Sequence, residues 1–518
     1  MDGRDRLWAR RCRRACAALA FIAVGTSPAQ AATLTVQEGA IAGTQRNGVS
    51  RYLGIPYARP PVGDLRWAPP QGPLAWEGVR PATAFAAACA QIGNYFTSND
   101  PQTFDRPYGS EDCLYLNVWA PTAQQRAPRP VIVFIHGGSG VVGAASLPLY
   151  DGQRLAQELD AVIISINYRL SFFGNFHLAA LKSGDPARDS GNFALLDKIK
   201  ALEWVQRNAA RFGGNPANVT VMGHSAGCVS IWALLRSPLA KGTFDKVICL
   251  SGIPLQSTEE EALENSRQYL GEVLYADGMV ESPDDAEGWL KSKTPEQVRD
   301  YLYGKSTVEL SQIFKDVRPV PEVADGYVLA TDVEARPVNA VPAILGNTAK
   351  EAPFLILAKF SPLDYSGMWS LIQGEQKSLS LSDFFKGPFA RFEYKLSGWY
   401  FNRKLLKKVD ESASLLASAS VPVYRYEFRW DHIPEPWKTL YGSYHGLDVP
   451  FVFGNFDKDS PNFTSFTWAD SDDAETESLH QVFVTALRGF IASGDPNHFS
   501  PAEPWPEWGS TENSIRIP

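Results

Sequence analysis

Five strand-like apolar runs punctuate residues 114 to 252: LYLNVWAP, PVIVFIHGG, DAVIISINYR, NVTVMGHS and FDKVICLSG. Helical stretches separate several of them, among them NFALLDKIKALEWVQRNAARFGG (192–214), with its apolar residues on one face and a glycine pair at its end. Short, uniformly apolar runs belong to strands buried on both faces, and parallel neighbours need crossovers long enough to hold a helix. The alternation therefore predicts an α/β fold: a large, mostly parallel central sheet with helices on both faces. Ahead of it, TLTVQEGAIAGTQ and VSRYLGIPYA read as an antiparallel start. Behind it, the charged text of 259–315 reads as a helical excursion, and strands resume at NAVPAILGNTAKE and VPVYRYEFRW. The aromatic, helical segment 360–406 predicts an insertion walling the site, and SLHQVFVTALRGFIASGDP a final helix.

The chain opens on six arginines within its first 14 residues, an apolar run at 15–24, and the small-residue string Ala29, Gln30, Ala31. That run is half the ~20 residues a spanning helix needs, so it reads as an export signal cut after Ala31 and not as stable membrane insertion. No linker, repeat or low-complexity tract breaks the remainder, and 32–518 is expected to be a single domain, secreted or periplasmic. Losing the signal takes the formal net charge from −8 to −12, a balance that disfavours nucleic acid as a partner. The run ADSDDAETE (469–477) reads as a solvated surface loop. Four cysteines remain after cleavage. Cys89 and Cys113 are placed to close a loop under oxidising conditions. Cys228 and Cys249 read as free buried thiols, with a second bridge as the alternative.

The stretch NVTVMGHSAGCVSIWALL (218–235) carries Gly223, Ser225 and Gly227 in the pattern G-x-S-x-G. The pattern is weak alone. Here a strand precedes it and a helix follows, which is the setting of a nucleophile elbow at the carboxyl end of a sheet strand. A serine hydroxyl needs a base, and the base an orienting group. In such folds an acid and then a histidine follow the serine, which leaves His432, His445, His480 and His498. An oxyanion also needs preorganised N–H donors, and the glycine-rich HGGSG (136–140) after VIVFI supplies a suitable loop.

At this point the chain resembles the type-B carboxylesterases, the cholinesterase-like branch of the α/β-hydrolase fold. The matching strings are YLGIPYARPPVGDLRWAPP, SEDCLYLNVW, HGGSG, NYR, GNFALLDKIKALEWVQRNAARFGGNPANVTVMGHSAG and YHGLDVPFVFG, in order over nearly all of 32–518. The resemblance implies a carboxylic-ester hydrolase with Ser225 as nucleophile, Glu351 in GNTAKEA as acid and His445 as base. It further implies backbone donors at Gly138, Ser139 and Ala226, a Cys89–Cys113 disulfide, a small-molecule ester substrate, and no metal or organic cofactor. A monomer or simple homodimer is expected. Without the resemblance, Glu351 beside Lys350 reads as a surface ion-pair partner; Asp448, three residues past His445, is the fallback acid, though it is better placed to brace the turn.

Some positions depart from the family pattern. Ser139 stands where a third glycine is usual, Ala352 follows the acid where glycine is usual, and His224 stands before the serine where glutamate is common. The last exchange removes a negative charge and predicts weaker attraction for cationic substrates. The Cys89–Cys113 loop holds Tyr95, Phe96, Phe104 and Tyr108 but no tryptophan, which argues against a choline ester. Trp369, Phe384, Phe385 and Trp399 are the candidates for the pocket wall.

Overall fold

The computed structural model describes residues 32–124, 127–332, 336–374, 379–456, 462–468, 473–509 and 514–518. The export signal expected at 1–31 lies outside them. Among the described residues twelve strands share one sheet. They are β1 (Ala32–Val36), β2 (Gly39–Arg46), β3 (Val49–Pro56), β4 (Val79–Pro81), β5 (Tyr115–Pro121), β6 (Arg129–Ile135), β7 (Val162–Ile166), β8 (Gly214–His224), β9 (Lys246–Leu250), β10 (Ala343–Thr348), β11 (Val423–Phe428) and β12 (Ile515–Ile517). Their order is β1-β2-β3-β5-β7-β6-β8-β9-β10-β11-β12, with β4 against β2. From β7 through β12 every neighbour is parallel; β1, β2, β3, β5 and β7 pair antiparallel.

The uniformly apolar strands explain the helices on both faces. In β6, Val131, Val133 and Ile135 enter one core with Leu202 and Trp204, while Ile132 and Phe134 enter the other with Phe483 and Leu487. Alternate side chains of a strand point to opposite faces, so a strand apolar at every position must be covered twice. Helices Phe193–Asn208 and Ala226–Arg236 cover the first face; Gln153–Leu159 and Asp473–Ser493 cover the second. The excursion is helical as expected, and its helices start at Thr258, Thr294 and Ser306, each with a reciprocal capping box to Glu261, Gln297 and Glu309.

Two expectations need correction. Within the acidic run, 469–472 lie outside the described residues, and Asp473 to Glu477 form the first turn of a helix rather than a loop. Negative side chains suit that end of the helix dipole, and Glu477 also pairs with Arg154 at 2.6 Å. Cys228 and Cys249 are not free thiols: they are joined, as are Cys89 and Cys113. Register explains it. Cys249 on β9 lies opposite Gly223 on β8, and the helix that follows Ser225 folds Cys228 back over that pair, which brings the two Cα atoms within 4.9 Å.

Candidate active site

Strand β8 ends at His224, and the chain turns at Ser225 with φ 54° and ψ −118° before the helix begins at Ala226. A positive φ at a non-glycine residue costs roughly 1–3 kcal/mol and persists only where the surroundings enforce it. Here the Ser225 N–H donates to the carbonyl of Leu250 at 2.8 Å, which ties the turn to the end of β9. The flanking glycines are needed for space. A Cβ at Gly223 would lie 2.6 Å from the backbone of Gly227, and one at Gly227 would lie 2.1 Å from the carbonyl oxygen of Ile135.

His445 lies between β11 and the helix Asp448–Phe453, and its Nε2 is 2.7 Å from Ser225 Oγ. On the other side His445 Nδ1 is hydrogen-bonded to Glu351 Oε2. Glu351 is fully buried, and its second oxygen accepts the N–H of Thr348 at 2.6 Å. The turn carrying Glu351 is held twice by Asn402, whose side chain accepts the Ala352 N–H at 3.2 Å and donates to the Ala349 carbonyl at 3.0 Å. The same turn meets the histidine loop through the Lys350 N–H and the Ser443 carbonyl, 3.0 Å apart. Ser225, His445 and Glu351 therefore form one hydrogen-bonded line anchored at both ends.

Asp448 does not reach that line. It accepts the Tyr426 hydroxyl at 2.5 Å, and its other oxygen is buried without a partner. Burial, opposed by the Tyr426 bond and reinforced by the Glu351 charge, pushes its carboxyl up to about 6. His224 also turns into the site: its ring centroid is 5.0 Å from that of His445, and both of its ring nitrogens are buried with no hydrogen-bond partner. Burial first, and His445 second, hold its pKa well below the usual imidazole range, so the ring is neutral.

Directly after β6, Gly138 and Ser139 adopt φ of +107° and +57° and line the same cavity as Ser225. A Cβ at Gly138 would lie 2.0 Å from the Val142 carbonyl oxygen, so the loop is packed tightly on itself. Gln91, fully buried, grips its far end: it accepts the Gly143 N–H at 2.9 Å and donates to the Gly143 carbonyl at 3.0 Å. Ala226 opens the helix, where the first N–H groups lack an intrahelical acceptor. Neither Gln91 nor Asn402 carries a motif that would single it out in the sequence.

The cavity holds about 360 Å³, within the range of small-molecule sites. Its aromatic wall is made by Tyr95, Phe96, Tyr150, Phe354, Tyr365, Tyr441 and Phe463. The four aromatic residues expected there do not line it. Trp369 stands behind the wall, stacked on Tyr95 and edge-on to Phe104; Phe384 packs on Trp437 and Phe385 on Tyr394; Trp399 is 62% exposed. Among the charged lining residues, Asp105 and Asp364 are engaged in capping the helix Tyr365–Gln373.

A profile described as the Carboxylesterase family matches residues 30–384. The chain belongs to the carboxylesterase family. It is 31% identical to the para-nitrobenzyl esterase of Bacillus subtilis over 486 residues, 92% of each protein, and 32% identical to the cocaine esterase of Homo sapiens over 540 residues, 97% of this chain and 90% of that one. A solved structure of a PNB esterase superposes with a TM-score of 0.73 at 31% identity, covering 94% of this chain and 95% of that chain. The fold is thus that of the α/β-hydrolase esterases, and the protein is a carboxylic-ester hydrolase.

Proposed function

We propose that the hydrolysis runs through an acyl-enzyme on Ser225. His445 Nε2 takes the hydroxyl proton as Ser225 Oγ attacks the ester carbonyl, then passes that proton to the leaving alcohol. Glu351 holds the imidazole in the tautomer with the proton on Nδ1 and stabilises the imidazolium once formed. The N–H groups of Gly138, Ser139 and Ala226 receive the oxyanion, each donor of this kind contributing roughly 10²–10³ in rate. Water, activated by the same histidine, then releases the acid. The observation that carries this reading is the unbroken line from Ser225 Oγ through His445 to buried Glu351 at the floor of an aromatic cavity.

The substrate class follows from the wall. Seven aromatic rings and a neutral His224 favour an ester with an apolar or aromatic part and no positive charge, which agrees with the nitrobenzyl ester in one relative's name. Export through residues 1–31, with 32–518 as one domain, belongs to the same proposal. Two disulfides, and the lack of any described helix long and apolar enough to cross a membrane, are consistent with an extracellular protein.

The test is covalent labelling with a fluorophosphonate, read by intact mass and peptide mapping beside Ser225→Ala. One adduct on the Ser225 peptide, absent in the variant, is expected. Folded wild type that takes up no probe, or takes it up elsewhere, refutes the assignment. Matched ester and amide analogues then separate esterase from amidase chemistry.

A further inference from the structure

Helix Pro388–Ala417 is 30 residues long, about 45 Å, yet it is buried along only a narrow stripe through Tyr394, Gly398, Val409 and the turns beyond. Gly398 faces Pro353 and Ile356, and the Tyr394 hydroxyl donates to the Leu440 carbonyl at 2.7 Å. The opposite face is aromatic. Phe389, Phe392, Leu396, Trp399 and Tyr400 recur at i, i+3, i+7, i+10 and i+11, a single helical stripe, and each is 47–72% exposed. At about 150–250 Å² per aromatic side chain, the stripe exposes roughly 600 Å² of largely apolar surface, the upper end of what monomers show. The cavity lies beside it: Leu355, exposed on the helix Glu351–Ile356 that packs on this one, also lines the cavity.

The charge around the stripe identifies its occupant. Between 386 and 404 the chain carries Lys386, Arg391, Lys395, Arg403 and Lys404 against Glu393 alone, a local +4 on a protein of net −8. Lys404 Nζ lies over the Tyr400 ring, 4.6 Å from its centroid, a cation–π contact that sets a positive charge directly beside the apolar stripe. A second copy of this helix would set like charges against one another. Aromatic residues flanked by lysine and arginine instead match an anionic lipid surface, where rings enter the headgroup boundary and cations meet phosphate. No described helix is long and apolar enough to cross a bilayer, so the contact is peripheral. We infer that this helix docks the enzyme on anionic membranes, with the mouth of the cavity held near the lipid boundary.

Co-sedimentation with vesicles of phosphatidylcholine and phosphatidylglycerol (3:1), against pure phosphatidylcholine and at low and high salt, tests this on the full chain. Binding is expected to the anionic vesicles only and to weaken with salt. Trp399→Ser and Phe392→Ser should each lower partitioning tenfold or more, from the apolar surface no longer buried. Lys395→Gln and Arg403→Gln should each lower it roughly fivefold. Because these side chains are exposed, melting temperature and turnover of a soluble nitrophenyl ester should stay as in wild type, and those readouts exclude misfolding. No binding to anionic vesicles, or binding that the four variants leave unchanged, overturns the inference. So does a dimer in sedimentation velocity that Trp399→Ser dissociates without any vesicle binding, which would make the face an interface between copies.

Discussion

Asp448→Asn isolates the energetic cost of a buried carboxylate. Its carboxyl is pushed from 3.8 to about 6, chiefly by burial. Between these two values the folded protein holds a proton that the unfolded chain has released, so stability falls as pH rises through that window and the cost is fully present above it. A shift of about two units corresponds to about 3 kcal/mol at pH 7.5, against about 0.5 kcal/mol at pH 4. The amide keeps an oxygen for the Tyr426 hydroxyl, but it places N–H groups where Asp448 Oδ1 has no partner, a penalty of about 1–3 kcal/mol. That penalty does not depend on pH. The carboxylate's contribution is therefore read from the change in the difference between variant and wild type, not from its value at one pH.

At ~2.1 cal/mol/K per residue, a chain of this length melts with an entropy of about 1 kcal/mol/K, so 2–3 kcal/mol is roughly 2–3 °C. Differential scanning fluorimetry from pH 4 to 7.5 should show the melting temperature of Asp448→Asn gaining about that much relative to wild type, most of it by pH 6.5. A difference flat to within 1 °C, or one that moves in the variant's disfavour as pH rises, would refute the argument that the carboxyl is charged above pH 6 and only partly compensated by the Tyr426 hydroxyl.

Glu351→Gln should lower kcat on a nitrophenyl ester by roughly 10³–10⁴ with little change in melting temperature, since the amide still fills the site but no longer fixes the imidazole tautomer. Paired replacement of Cys228 and Cys249 by serine should cost about 3 kcal/mol by the loop-entropy relation, seen as a lower melting temperature that matches reduced wild type once Cys89 and Cys113 are also replaced. Ser139→Gly should gain about 1 kcal/mol in urea unfolding while preserving turnover, because the residue sits at φ +57° and, in the proposed mechanism, contributes only its backbone.

The strand and helix order was legible because burial on both faces leaves a plain mark: VIVFI has no polar position, and VIISI and KVICL have one each, Ser165 and Lys246, both buried. The elbow was legible because Gly223 answers a steric demand made within five residues, by the backbone of Gly227, while Gly227 makes room for the carbonyl of Ile135 on β6. The cystine at Cys228 and Cys249 was not, since the two meet only through the register of β8 against β9. The pocket wall was misread for a related reason. Trp369 and Met368 are neighbours on one helix, and helical phase puts Met368 in the cavity and Trp369 behind Tyr95. Aromatic content cannot distinguish the two. Trp399 failed in the opposite sense, since nothing in its local sequence says that the long helix is buried along the other face.

His224 shows how a neighbour of the elbow shapes the site without joining the hydrogen-bonded line. Side chains adjacent on a tight turn ordinarily point apart, and Ser225 Oγ bonds His445 rather than His224. Yet the His224 ring reaches the same cavity, because Gly446 and Gly137 leave room: a Cβ at Gly446 would lie 2.7 Å from His224 Nε2, and one at Gly137 would lie 2.9 Å from Nδ1. Both nitrogens of a ring wedged there are shielded from solvent, and burial keeps it neutral. It therefore brings bulk and polarity beside His445 without adding charge. Since Glu351 is hydrogen-bonded to His445 and buried beneath it, discrimination at this end of the cavity falls to shape and apolar contact with the aromatic wall, and binding of uncharged esters should be insensitive to salt.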